Sequence, residues 1–236
     1  MGPFFKTSPN IAVILLAVSL CACGQVSTNV SEGLRLTTSE DENISLPPDS
    51  IYKPQSLLWE GQNPEALLWS AILYRSLGAD EQNSLLQGTE DIEDFCPSFY
   101  SLSAFEKVNF WAIVISGISK YESGFDPLHR REVRPGIYKE GLLQISYDLH
   151  GQLRRCRFDE ANDNRMNPMD PRRSIVDPKN QMACAVDVLT HQIETQKRLA
   201  HNGSYWRVLR LNTKFSAIEE IKTFTRQLTF CSPSAH

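Results

Sequence analysis

The chain has 236 residues, a formal charge of −4 and 41% hydrophobic residues, enough apolar material for a domain with a buried core. A mildly acidic balance is not the profile of a nucleic-acid-binding protein, which carries a strongly basic face. Two basic clusters, His129–Arg134 and Arg154–Arg157, read first as solvated faces, with contact to substrate carboxylates as the less common alternative.

Lys6 precedes the apolar run Ile11-Ala12-Val13-Ile14-Leu15-Leu16-Ala17-Val18-Ser19-Leu20, which leads into Cys21-Ala22-Cys23. A positive start, roughly ten apolar residues and a small residue before the cut make a signal peptide. The run is short of the about 20 apolar residues of a membrane span. Leu20-Cys21-Ala22-Cys23 resembles a bacterial lipobox, which implies removal of residues 1–22 and lipid on Cys23. A plain secretory signal or an uncleaved anchor is the competing reading. The expected location is the periplasmic face of the outer membrane, since Gly24 rather than Asp follows the cysteine, or the cell surface.

Residues 23–56 are rich in Ser, Thr, Asn, Pro and acidic groups and poor in large apolar ones. Such a stretch cannot offset its ordering entropy by burial, so it reads as a flexible tether. Ser50-Ile51-Tyr52-Lys53 fits a Ser-x-x-Lys pattern, but a lone match in a polar linker is chance, because acyl-enzyme chemistry needs a rigid, buried nucleophile. The folded domain is expected over 57–236, as a monomer.

Within it, residues 65–77 read as a helix with a Pro64 start. A clearer helix runs from Ser103 to Glu122, opened by the capping box Ser103-Ala104-Phe105-Glu106. A third opens at Asp177-Pro178 and continues to about Leu199, with Met182, Val186, Leu189 and Ile193 in one stripe. Shorter helices are expected over 204–211 and 215–228. No stretch sustains alternation. The expected class is therefore mainly α, a helical bundle around a cleft, with a small irregular β region near residues 130–150.

Past the lipobox stand Cys96, Cys156, Cys184 and Cys231, an even set in an exported chain, which suggests two disulfides with three possible pairings. The preferred pairs are Cys156–Cys184, stapling a long loop to the helix after it, and Cys96–Cys231, tying the domain's start to its end. No two of these cysteines have zinc-site spacing and the five histidines are scattered, so no metal motif and no cofactor is expected.

On the helix from Ser103, Trp111, Ile115, Ile118 and Glu122 lie four, three and four apart, so Glu122 continues the core-facing stripe. Burial and the negative end of the helix dipole both disfavour a charged carboxylate there. A Glu protonated near neutral pH is what a glycosidase uses to protonate a leaving sugar oxygen. From periodicity alone, an exposed last-turn Glu paired to a nearby Lys or Arg competes with this reading.

Glu122-Ser123-Gly124-Phe125-Asp126-Pro127 and Gly141-Leu142-Leu143-Gln144-Ile145-Ser146 resemble the two linked motifs of soluble lytic transglycosylases, Glu-Ser-x-Phe/Trp-x-Pro and Gly-Leu-Met-Gln-Ile. Asp177-Pro178-Lys179-Asn180 is similar to the family's Asp-Pro-x-x-Asn, one residue shorter, and the likeness spans roughly residues 100–210. The resemblance implies a lysozyme-like fold and cleavage of the bond between N-acetylmuramic acid and N-acetylglucosamine in peptidoglycan. It implies Glu122 as catalytic acid and base, Ser123 beginning the turn that Phe125 and Pro127 shape and a candidate to bind substrate, and Gln144 binding or positioning substrate, with Ser146 a weaker candidate. Gly141 is expected to let the backbone approach the sugar. Two departures stand out. The loop 128–140 is longer and carries Arg130, Arg131 and Arg134, and the family's Tyr-Asn-Ala-Gly is replaced by Gly203-Ser204-Tyr205-Trp206. Tyr205 can supply the family's phenol, although Trp206 or plain packing fits the position almost as well.

The expected partners are glycan strands and, through lipid, a membrane. A lytic transglycosylase needs one Glu; a hydrolytic muramidase needs a second carboxylate, about 5–5.5 Å away as nucleophile or about 6.5–9.5 Å as base. Asp126, Glu132, Glu140 and Asp148 are the nearby candidates. A non-catalytic wall-binding lipoprotein is the reading from another class.

Overall fold

A computed structural model describes residues 54–78 and 84–232. The leader, Cys23, the tether up to residue 53 and the Ser-x-x-Lys match lie outside the described residues. Residues 54–56, assigned to the tether, already bind the domain: the Gln55 N–H donates to Asn109 Oδ1 at 2.8 Å and its carbonyl accepts from the Tyr74 hydroxyl at 2.9 Å.

The architecture is mainly helical with a small antiparallel hairpin. Helix α1 spans Ala66–Gly78, α2 Ile92–Phe95, and α3 Ala104–Glu122. The α3 start is the expected capping box: Ser103 accepts from the Glu106 N–H while the Glu106 side chain takes the Ser103 N–H. The apolar stripe understates this helix. From Asn109 to Ser119 every residue is buried, because α1 and α6 (Ile218–Arg226) both pack on it. Strands β1 (Arg130–Arg134) and β2 (Ile137–Glu140) follow, paired with Arg131 opposite Lys139 and Glu132 opposite Tyr138. A short α4 (Glu160–Asp163) precedes α5 (Pro178–Gln196), whose cap Asp177 accepts from the Lys179 and Asn180 N–H groups. Left-handed Lys197 (φ 58°) ends α5 short of Leu199.

Residues 204–211 do not form the expected helix. Only a turn, Arg207–Leu209, is helical, because this segment is bound to other parts of the chain: the Trp206 indole donates to the Leu143 carbonyl at 2.8 Å, and the Ala217 N–H donates to the Val208 carbonyl at 2.9 Å. Both disulfides form with the expected pairing, Cys96–Cys231 and Cys156–Cys184. No helix among the described residues is long and apolar enough to cross a membrane.

Behind the hairpin lies a buried polar network. Arg173 grips both Glu140 oxygens, with Nη2 3.1 Å from Oε1, and Arg130 Nε lies 3.5 Å from Oε2. Asp163 accepts from the Tyr147 hydroxyl at 2.6 Å and from the Ser174 and Ile175 N–H groups at 2.7 and 3.0 Å. Burial pushes the Asp163 carboxyl up, but these hydrogen bonds outweigh it and hold the group below its ordinary range.

Candidate catalytic site

Glu122 is the last residue of α3 and its side chain is fully buried. Beyond it the chain reverses through Gly124 and Phe125, both left-handed at φ 64° and 65°, with Phe125 edge-on against Trp59. The Ser123 hydroxyl lies 3.0 Å from the Ser119 carbonyl and 2.8 Å from the Leu142 carbonyl, so it fastens the helix end to the loop 141–146. The two segments singled out in the sequence are in direct contact.

Two segments converge on the Glu122 carboxylate. Strand β1 lays Arg131 over it, Nη2 3.1 Å from Oε2. The turn at Arg207–Leu209 brings Arg207 Nε to 3.5 Å from the same oxygen, and the Val208 N–H donates to Oε1 at 3.4 Å. Burial was expected on the core-facing reading and a cationic partner on the competing one. Glu122 is both core-facing and ion-paired, which joins the two readings that periodicity had set against each other. The partners come from nine and 85 residues further along the chain, beyond the reach of a helix pattern.

Gln144 is fully buried, left-handed at φ 51°, and its amide donates to the carbonyls of His129 at 2.9 Å and Gly141 at 3.1 Å. Its Oε1 has no hydrogen-bond partner among the described residues. The Tyr205 hydroxyl donates to the Gln144 carbonyl at 3.0 Å, and burial pushes that phenol well above its ordinary range. Ser146 spends its hydroxyl locally, accepting from the Asp148 N–H at 3.4 Å. Gly141 is left-handed at φ +78°, and a Cβ there would meet the Gln181 amide at 2.7 Å. Its freedom serves Gln181 behind the loop and not an approaching sugar. Gln181, absent from the sequence-based assignment, orders the segment: its Oε1 accepts from the Leu143 N–H at 2.9 Å and its Nε2 donates to the Glu140 carbonyl at 3.0 Å.

Arg131 and Arg207, the two arginines on Glu122, line a cleft of about 690 Å³ whose walls also carry Glu132, Arg134, Lys139, Tyr205 and Arg210. Lys139 lies 3.4 Å from the centre of the Tyr205 ring and donates to the Tyr205 carbonyl at 2.8 Å. Burial lowers the Lys139 amine to about 7; Glu122 opposes that, while Arg131, Arg210 and Arg207 reinforce it. Burial and Arg207 likewise lower the Arg131 guanidinium.

The four candidate second carboxylates separate clearly. Glu140 is locked to Arg173. Asp126 is exposed and accepts from the Leu128 N–H at 2.9 Å, shaping its own turn. Asp148 is exposed and lies 3.8 Å from Arg134. Glu132 alone of the four lines the cleft, where it also accepts from the Gly136 N–H at 2.9 Å.

With this geometry in place, comparison with known proteins adds one relationship. The fold is similar to that of the Bdellovibrio protein Bd0314 DslA. Its wild-type structure gives a TM-score of 0.62 at 25% identity, covering 76% of this chain and 99% of that one. A Glu-to-Gln variant of it matches at TM-score 0.62 and 26% identity, and a second at 0.60 and 24%, with the same coverage. No protein-family model matches the chain, and no curated protein does.

Proposed function

We propose that this chain cleaves the glycan strands of peptidoglycan at the bond between N-acetylmuramic acid and N-acetylglucosamine, as a lytic transglycosylase of lysozyme-like fold. One observation carries the reading: Glu122 sits buried beneath Arg131 and Arg207, two residues that line a cleft, and at the junction of the two contacting segments that resemble the transglycosylase motifs. In this mechanism the Glu122 carboxylic acid gives its proton to the bridging oxygen as the C1–O bond breaks. The resulting carboxylate then takes the proton of the muramyl C6 hydroxyl as O6 closes on C1, which leaves a 1,6-anhydro end. Arg131 and Arg207 cover the carboxyl group, so in this mechanism both side chains move aside for the sugar.

A hydrolytic muramidase is the second reading, and two observations favour it. Glu132 stands on the wall of the same cleft. In Bd0314 DslA, Glu-to-Gln variants exist at two positions eleven residues apart, and Glu122 and Glu132 are ten apart here. In that case water replaces the C6 hydroxyl and the new end is reducing.

Digestion of purified sacculi followed by mass spectrometry separates the cases. Anhydro ends support the transglycosylase, reducing ends the muramidase, and uncut strands leave only wall binding. The proposed setting is a periplasm-facing membrane, reached through lipid on Cys23. Cys23→Ala is expected to abolish membrane partitioning while the domain keeps its activity; unchanged membrane association refutes the anchor.

A further inference from the structure

The cleft holds more positive charge than its own carboxylates balance. Arg131 and Lys139 are directly opposite each other on β1 and β2, and Arg207 and Arg210 approach from the other wall. Like charges set opposite one another across a hairpin destabilise it. Glu122, beneath Arg131 and Arg207, is shared between them, and Glu132 is the single carboxylate in the walls. Burial lowers the Lys139 amine and the Arg131 guanidinium, and the neighbouring arginines lower both further. A fold has no need of such a cluster in a half-open cleft, whereas an anionic ligand neutralises it.

The geometry points to an anion subsite, formed by Arg131, Arg134, Lys139, Arg207 and Arg210, that takes a carboxylate carried on the lactyl branch of the muramyl residue. It rests on the proposed glycan cleavage for the identity of the strand, but not for the presence of an anion. The carboxylate comes from the lactyl group itself in bare strands, or from the peptide stem where one is attached. Guanidinium groups suit it because they pair with carboxylates in bidentate, charge-assisted fashion. Arg131 and Arg207 are the two cations that also cover Glu122. A carboxylate that draws them outward uncovers the Glu122 oxygen, so recognition of the branch and access to the acid are one movement.

The test is calorimetric binding of disaccharides that lack the scissile bond. Four probes are used: diacetylchitobiose, the muramyl disaccharide with a free lactyl acid, the same with a peptide stem, and the stem form with its carboxylates amidated. The acid-bearing probes are expected to bind at least about tenfold more tightly than the two without free acids, and less tightly as salt rises. Comparison of the lactyl and stem forms identifies the source. Arg134→Gln combined with Arg210→Gln is expected to erase the preference. Arg134 is largely exposed, so Arg134→Gln alone reports without a folding risk. Binding near pH 7 is expected to take up protons, since an anion raises the Lys139 amine among Glu122, Arg131, Arg207, Arg210 and Tyr205. Equal affinity for all four probes overturns the subsite, and so does equal affinity for an oligogalacturonate of matching charge. Intact sacculi with acid-selective binding leave the subsite standing and remove the proposed activity. Cut sacculi with no selectivity do the reverse.

Discussion

Glu140 and Glu122 are both buried, and each lies between two arginines, yet they sit in opposite kinds of surroundings. Glu140 is gripped at both oxygens by Arg173, whose side chain is 4% exposed, and the neighbouring Tyr147, Asp163 and Ser174 groups are hydrogen-bonded in turn. Glu122 meets Arg131 and Arg207 through one oxygen, and those side chains are 26% and 27% exposed on the wall of an open cleft. A bidentate pair sealed on all sides resists removal of either partner, because the survivor is left charged and dry. A monodentate pair facing solvent can open at little cost. The same residue types therefore build a strut on one face of the hairpin and a releasable cover on the other.

The same substitution at the two sites should break different things. Glu122→Gln keeps shape and hydrogen bonding but removes the transferable proton. Strand cleavage is expected to fall by at least ~10²–10⁴-fold, with the unfolding midpoint little changed. Full activity of this variant on sacculi would remove Glu122 from the mechanism. Glu140→Gln should reverse the pattern, costing about 3–5 kcal/mol in urea unfolding by stranding the Arg173 charge. A stability loss under about 1 kcal/mol would show that the network is not a strut.

The arginines sharpen the contrast further. Arg173→Gln should cost about as much as Glu140→Gln. Arg131→Gln should cost only about 1 kcal/mol or less, because Arg207 and the Val208 N–H remain on Glu122 and the removed side chain is partly exposed. Equal losses at Arg131 and Arg173 would mean that the cover over Glu122 is as rigid as the strut.

How much of this was legible in the sequence follows the range of the interactions. The starts of α3 and α5 were readable because Ser103-to-Glu106 and Asp177-Pro178 are local caps. The spacing of Glu122 continued the core-facing stripe, but only the motif resemblance of the residues after it set that reading above an exposed, paired Glu. Two disulfides were readable from the even cysteine count, and the observed pairs were the preferred ones of three that the sequence left open. Arg207 and Lys139 were not readable as neighbours of Glu122, because a hairpin and a turn late in the chain bring them there. The five-residue strand Arg130–Arg134 is too short and too charged to show alternation, so its arginines resembled a solvated face. Gln181 was hidden for a related reason: it precedes the apolar stripe of α5, and its importance lies in the loop it orders. The turn at 207–209 shows tertiary bonds outcompeting helical propensity, which no local rule anticipates.

The last expected effect concerns the pH dependence set by Lys139, whose folded-state value of about 7 lies below its ordinary 10.5. Between those values the unfolded chain binds more protons than the folded one at this amine, so stability rises as pH rises across the window. Below about 7 both states are protonated and the slope vanishes. Tyr205 pulls the other way only near and above pH 10, where an unfolded phenol ionises while the buried one does not. Urea unfolding between pH 7 and 9.5 therefore isolates the lysine. Wild type should gain stability across that range relative to Lys139→Met, which keeps the apolar stem and removes the titration. Because Glu122 holds the amine up, Glu122→Gln should open the window at lower pH. The strut offers an internal control: Glu140→Gln should shift the whole curve down without changing its slope between pH 7 and 9.5. Parallel curves for wild type and Lys139→Met would mean that water surrounds the amine and that burial does not lower it.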